Sequence, residues 1–183
     1  MNVQEATTRR LPDLKERHLP ENCREAVNTI LKETYGYEQF RNLEIYDDLS
    51  KGKEKLCISQ GQLIENVILE AETQVDNILL TAPTGSGKSL LFQLPAIYLG
   101  KEYNLLTIVV SPLKALIVDQ VESLQELGYT RVAYASSDLS PEQKMEVYRQ
   151  VREGEIDLFY LSPELLLSYD IKHFVGERRI GLV

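Results

Sequence analysis

From residue 77 onward the chain alternates short apolar runs with longer stretches of helical periodicity, and this alternation restricts the fold more than any other feature. NILLTA (77–82), LLTIVVS (105–111), RVAYAS (131–136), DLFYLS (157–162) and IGLV (180–183) read as strands. Between them, KSLLFQLPAIYL (88–99), KALIVDQVESLQEL (114–127), SPEQKMEVYRQVREG (140–154) and PELLLS (163–168) read as helices. Strands separated by helical patterns of about 10–15 residues imply βαβ units and a mostly parallel sheet flanked by helices. Ser140 stands where an N-cap is needed, with Pro141 at the first helical position. Gly128 follows the last periodic residue of the 114–127 stretch. Pro95 predicts a kink or an end in the helix before it. An α/β sheet of this kind carries its ligands at the carboxyl ends of its strands.

The upstream part is patterned differently. Residues 1–21 are polar, include two prolines, and predict an extended or loosely attached segment. From Asn22, a plausible N-cap with Glu25 three residues on, Ala26, Val27, Ile30 and Leu31 follow helical spacing until Gly36 breaks it. A second helix is expected over 38–49 and a charged loop over 50–55. Leu63, Ile64, Val67, Ile68 and Ala71 predict a further amphipathic helix. The expected organisation is therefore a polar segment over 1–21, a helical element over 22–75 and a sheet domain over 76–183.

Composition narrows the class. No apolar run approaches the ~20 residues of a membrane span, and the N-terminus has no apolar core like that of a secretion signal, so a cytoplasmic protein with no membrane partner is expected. Cys23 and Cys57 form no C-x-x-C pair and read as reduced thiols, while His18 and His173 stand alone. A net charge of −8 argues against non-specific polyanion binding by the whole surface, but not against a local groove for nucleic acid.

The chemistry concentrates in APTGSGKS (82–89). It departs from G-x-x-x-x-G-K-[ST] only at Ala82, and it sits between a predicted strand and a predicted helix, which is the setting a phosphate loop requires. Gly85 and Gly87 allow the backbone to curl until successive N–H groups, from Thr84 through Ser86 and beyond, point into one concavity. The positive end of the following helix adds to the attraction for phosphate. Lys88 can reach the β- and γ-phosphates of ATP, and the Ser89 hydroxyl can ligand Mg²⁺.

Phosphate loops serve many functions, and the flanking segments separate them. VVSPLKALIVDQVESLQELG (109–128), YASSDLSPEQKMEVYRQVREGEIDLFYLSPELL (134–166) and LKETYGYEQFR (31–41) together resemble the first RecA-like motor domain of RecQ-like superfamily-two DNA helicases, over roughly residues 25–183. The resemblance implies an α/β RecA-like fold with an N-terminal helical segment, ATP and Mg²⁺ as cofactors, and DNA as partner, either a single strand or a single/double-strand junction. It implies that Ser111, Pro112, Leu113 and Lys114, and likewise Ser162, Pro163 and Glu164, lie at strand ends and hold a DNA backbone. Hydroxyls and helix-start N–H groups suit phosphate and carry no sequence information. Lys114 reads equally as a solvated helix-start lysine, and Asp119 and Gln120 as helix surface.

Tyr37 and Arg41 match positions that stack on and contact adenine in the resembled family. That family expects Gln three residues after the Arg, where this chain has Glu44. An ionised Glu only accepts hydrogen bonds and would face the N7 lone pair, whereas a Gln amide donates to N7 and accepts from N6. Gln60 and Gln62 follow some eighteen residues later; the reading favours Gln62, with an insertion near 45–59, against both glutamines being ordinary polar residues at a helix start.

Family members continue from a strand like RRIGLV into an acidic motif, so the chain reads as an N-terminal motor piece expected to hydrolyse ATP slowly by itself. The leading expectation is a 3′-to-5′ ATP-dependent DNA helicase or translocase. An RNA helicase of the same superfamily is the first alternative, although SPLKAL departs from the pattern of RNA-acting relatives. A non-catalytic nucleotide-binding scaffold with protein partners in a repair or defence complex is the second.

Overall fold

The computed structural model describes residues 16–46, 55–73, 78, 80 and 85–183. They fall into two compact units, one made of residues up to Lys32 together with Tyr37–Pro95, the other of Glu33–Gly36 with Ala96–Val183. The expected strand at 77–82 lies outside the described residues apart from Ile78 and Leu80, and the charged loop at 50–55 lies outside apart from Lys55. Among the described residues, no helix is long and apolar enough to cross a membrane.

In the first unit, helix α1 (Glu21–Tyr35) buries Val27, Ile30 and Leu31 along one face, as their spacing requires. Asn22 sits inside its first turn rather than capping it, because the hydrogen-bond ladder already starts from the Pro20 carbonyl to the Arg24 N–H at 3.0 Å. The segment before it is not loose over the described residues 16–20. Leu19 is buried, its N–H donates to the Glu65 carboxylate at 3.0 Å, and Arg17 pairs with Glu70.

The helix expected over 38–49 is replaced by a strand. β1 (Asn42–Tyr46) pairs antiparallel with β2 (Lys55–Ser59), with Leu43 opposite Ile58 and Glu44 opposite Cys57. Leu43 and Ile45 alternate with polar neighbours at a period of two, and a partner strand with its own Leu56 and Ile58 completes the pairing. α2 (Gln60–Thr73) follows β2 without a break and buries Leu63, Ile64, Ile68 and Ala71, as expected.

Helix α3 (Leu90–Tyr103) does not end at Pro95 but continues for two turns beyond it. Proline removes one i→i−4 bond and normally costs about 3 kcal/mol in a helix interior. Here Leu91, Leu94, Ala96, Ile97, Tyr98 and Leu99 are all buried, and burial around the whole helix outweighs the missing bond.

The second unit contains the parallel sheet. Its strands are β3 (Leu106–Val110), β4 (Val132–Ala135), β5 (Leu158–Leu161) and β6 (Ile180–Leu182), in the spatial order β4-β5-β3-β6, all parallel. The connections are α4 (Lys114–Glu126), α5 (Pro141–Arg152), and the short α6 (Pro163–Ser168) and α7 (Ile171–Val175). This is the parallel α/β arrangement that the alternating pattern implied, and it agrees with the RecA-like fold implied by the resemblance. On one face Leu106, Ile108, Phe159 and Leu161 pack with Tyr148 and Val151 of α5 and with Phe174 and Val175 of α7. Tyr148 stands edge-on to Phe174 at 5.2 Å and to Phe159 at 6.4 Å. Ser140 caps α5 in a full capping box with Gln143, and Gly128 closes α4 at φ +85°.

At the amino ends of these strands sits a fully buried carboxylate. Asp157 accepts from Arg131 Nε at 2.6 Å and Nη2 at 2.8 Å, from the Tyr129 hydroxyl at 2.9 Å and from Arg178 Nη2 at 3.1 Å. Arg178 also donates to the carbonyls of Val151 and Ile156. A Cβ on Gly100 would come within 2.4 Å of the Asp157 side chain, so only glycine fits there. The carboxylate therefore ties the starts of β4, β5 and β6 together. Burial, reinforced by the neighbouring Asp157 charge, pushes the Tyr129 hydroxyl pKa up, and burial pulls that of Arg178 down.

Candidate functional site

The phosphate loop leads directly into α3. Gly85 and Gly87 adopt φ of +80° and +78°, a region that side chains with a Cβ enter only at a cost. The chain then turns helical at once: Leu90, Leu91 and Gln93 donate to the carbonyls of Gly87, Lys88 and Ser89 at 3.2, 3.0 and 2.9 Å. The N–H groups ahead of this turn have no intrahelical acceptors, which is the condition for binding an anion there. Lys88 is exposed, Ser89 is half-buried, and the Ser86 hydroxyl is buried with no hydrogen-bond partner among the described residues. Two left-handed glycines, an exposed ammonium, a hydroxyl after it and an orphaned hydroxyl beside them fit a polyphosphate with its divalent cation. Thr84 lies outside the described residues.

The five polar residues expected on the base side all belong to the same unit as the loop. Tyr37 is 51% exposed, and Arg41 and Glu44 are exposed on the approach to β1 and within it. The two glutamines differ in environment. Gln60 is only 3% exposed: its Oε1 accepts from the Arg41 N–H at 3.2 Å, and its Nε2 donates to the Ser86 carbonyl at 3.1 Å. Gln62 is half-buried, accepts from the Ser59 N–H at 3.2 Å, and lines a cavity of about 300 Å³ with Phe40, Asn28 and Arg24. Phe40 lies so close to Gly61 that a Cβ there would meet its ring at 2.7 Å.

In the second unit, the expected nucleic-acid residues gather at the carboxyl ends of β3 and β5, which neighbour each other in the sheet. The Ser111 N–H donates to the Leu161 carbonyl at 3.1 Å, joining the two strand ends. The Ser111 hydroxyl accepts from the Leu113 N–H at 3.4 Å, and the Ser162 hydroxyl from the Leu165 N–H at 3.3 Å, capping α6. Lys114 pairs with Asp138, 2.9 Å away at the end of β4, and with the Ser137 hydroxyl. Its ammonium holds the Asp138 carboxyl below the usual carboxylate range. The Glu164 carboxyl is lowered as well, first by its own N–H at the start of α6 and then by the Ser162 hydroxyl. Pro112 and Leu113 are exposed and Pro163 half-buried, while Asp119 is exposed and Gln120 half-buried on α4.

Three features escaped the sequence: the Gln60 bridge to the loop, Phe40 as a cavity wall, and Asp138 as the partner of Lys114. The first joins positions 26 apart and the third joins positions 24 apart. No local pattern announces such pairs.

The family description DEAD/DEAH box helicase matches residues 59–181. Among similar proteins, an ATP-dependent DNA helicase RecQ of Synechocystis sp. is 33% identical over 159 residues, covering 87% of this chain and 28% of its own length. A protein of the same name from Bacillus subtilis is 33% identical over 144 residues, covering 79% of this chain and 20% of its own length. An ATP-dependent DNA helicase Q-like 5 of Arabidopsis thaliana is 32% identical over 146 residues, or 80% and 13%. The chain thus spans less than a third of the length of these relatives.

Proposed function

The chain belongs to the DEAD/DEAH box helicases, with RecQ-like relatives, and from that premise we propose that it is the ATP- and DNA-binding part of an ATP-driven DNA translocase. The observation that carries this reading is the pair of left-handed glycines placing Lys88 and Ser89 at the head of a helix. The loop amides from Gly85 to Ser89 receive the phosphates, Lys88 supplies the positive charge on the β- and γ-phosphates, and the Ser89 hydroxyl holds the cation. Bound Mg²⁺ would neutralise charge developing on the transferred phosphoryl group.

In this reading residues 22–75 form the base side of the site and 76–183 the motor domain. Tyr37 and Arg41 flank the adenine, and Gln62, which lines the same cavity as Phe40, recognises its edge. Ser111, Pro112, Leu113 and Lys114, with Ser162, Pro163 and Glu164, form the rim that holds a DNA strand through its phosphates. The direction of travel is 3′ to 5′, by resemblance to RecQ-like enzymes.

Thermal unfolding with ATP and Mg²⁺ tests the first half. Ligand at 100 times Kd adds about 2.7 kcal/mol, and each kcal/mol raises Tm by roughly 2–4 °C for a chain of this size. The expected result is a rise of several degrees in the wild type and none in Lys88→Ala, whose own Tm without ligand stays near the wild-type value. Equal shifts in both proteins would refute the loop as the phosphate site. Matched DNA and RNA strands, titrated in parallel, test the second half: tighter RNA binding would overturn the choice of polymer.

A further inference from the structure

Gln60 has its carboxamide committed on both sides inside the protein. Its own N–H donates to the Arg41 carbonyl at 2.8 Å while its Oε1 accepts from the Arg41 N–H at 3.2 Å, so a single residue grips Arg41 twice. Its Nε2 donates to the Ser86 carbonyl at 3.1 Å. The partners fix the orientation of the amide, since a main-chain N–H only donates and a carbonyl only accepts. One donor and one acceptor site remain on the amide, but a side chain only 3% exposed has little surface on which to present them.

The bond to Ser86 has a directional consequence. In a trans peptide the C=O of one residue and the N–H of the next point to opposite sides. No cis peptide occurs among the described residues. Holding the Ser86 carbonyl toward Gln60 therefore turns the Gly87 N–H away from Gln60. The fit is close: with Gly87 at φ +78°, a Cβ on it would meet Gln60 Nε2 at 2.6 Å. The same side chain thus touches two consecutive residues of the loop.

We propose that Gln60 is a positioning residue for the phosphate loop, aiming the Gly87 N–H as an anion donor and taking no part in reading the base. The anion is the triphosphate chain of the nucleotide, and in that respect the inference rests on the function proposed above. It assigns the two glutamines different tasks, loop orientation to Gln60 and base recognition to Gln62.

Two substitutions separate the roles. Gln60→Glu keeps an acceptor for the Arg41 N–H and removes the donor to Ser86, whereas Gln60→Leu removes both. Amide hydrogen exchange without nucleotide provides the first readout. Losing one buried hydrogen bond should speed exchange across Gly85–Ser89 by about fivefold to tenfold in Gln60→Glu, with α2 unchanged. Unchanged loop exchange would overturn the proposal, and so would equal acceleration across β2, α2 and the loop, which marks a merely structural residue. Gln60→Leu should accelerate the loop at least as much, with the Arg41 amide now exchanging faster too.

Binding of ATP, GTP and inorganic triphosphate to the full chain provides the second readout. In Gln60→Glu all three should weaken by a common factor, leaving the ATP-to-GTP ratio as in the wild type, while Gln62→Ala changes that ratio. Selective loss of ATP in Gln60→Glu, with GTP and triphosphate unaffected, would make Gln60 the base reader and sink the proposal. If the wild type binds none of the three while the exchange result is as expected, the brace stands and the nucleotide reading falls.

Discussion

At the scale of single residues, the loop depends on two glycines for different reasons. Gly85 needs only its backbone angle, since a Cβ there would meet nothing within 4 Å; Gly87 needs both its angle and the space taken by Gln60. Placing an L side chain in the left-handed region costs roughly 1–2 kcal/mol, and at Gly87 the displacement of a buried amide is added. Gly87→Ala should therefore lower stability more than Gly85→Ala, by a margin of about 1 kcal/mol in urea unfolding. Equal losses would mean that Gln60 yields freely. The glycines and Lys88 were legible in the sequence because the motif encodes a local conformation. The contact from residue 60 to residue 86 was not, because it depends on where α2 lies in space.

Among the elements, what could be read followed from period and punctuation. The four parallel strands and the helices α4 and α5 were legible, since Ser140, Pro141 and Gly128 mark boundaries by their own chemistry. β1 was not, because a five-residue strand contains too few alternations to separate period two from period 3.6, and its partner follows the charged stretch DDLSKGKE rather than a two-residue hairpin turn. The helix end that Pro95 suggested failed for the opposite reason: a local rule was outweighed by burial of the residues around it. Ser140→Ala should cost about 1 kcal/mol in equilibrium unfolding, through loss of the capping bond to Gln143. A loss below a few tenths would show that α5 is held by packing alone. The Asp157 cluster predicts a pH effect. Because burial raises the Tyr129 pKa in the folded state, its stabilising contribution is complete below the unfolded tyrosine value of about 10 and is lost as pH rises above it. Tyr129→Phe should be less stable than the wild type near pH 8, by about 1–2 kcal/mol for the bond to Asp157. Its stability should then fall less steeply as pH rises past the unfolded tyrosine midpoint of about 10. Parallel pH curves for the two proteins would contradict the burial of that hydroxyl.

For the whole molecule, a net charge of −8 means that the proposed DNA binding would rest on few contacts rather than on general attraction. Each phosphate contact to a single strand adds a salt slope of about −0.7. If Lys114 makes one of them, Lys114→Ala should weaken single-strand binding and flatten the slope by about 0.7, whereas a lysine committed to Asp138 leaves the slope unaltered. Asp138→Asn should act the other way and strengthen binding at low salt, since it removes both the competing partner and a repelling charge. Fluorescence anisotropy across a salt series reads both variants.

The ion cluster around Asp157 and the hydroxyls of Ser111 and Ser162 occupy opposite ends of the same parallel strands, and this separation bears on how such a chain can change over time. The amino end is bolted by a charge that touches three strand starts, so replacements there unsettle the frame as a unit. At the opposite end the main chain joins Ser111 to Leu161, but the hydroxyls of Ser111 and Ser162 make only local bonds, each confined to one turn. Variation in those hydroxyls can accumulate one position at a time while the scaffold beneath them keeps its shape.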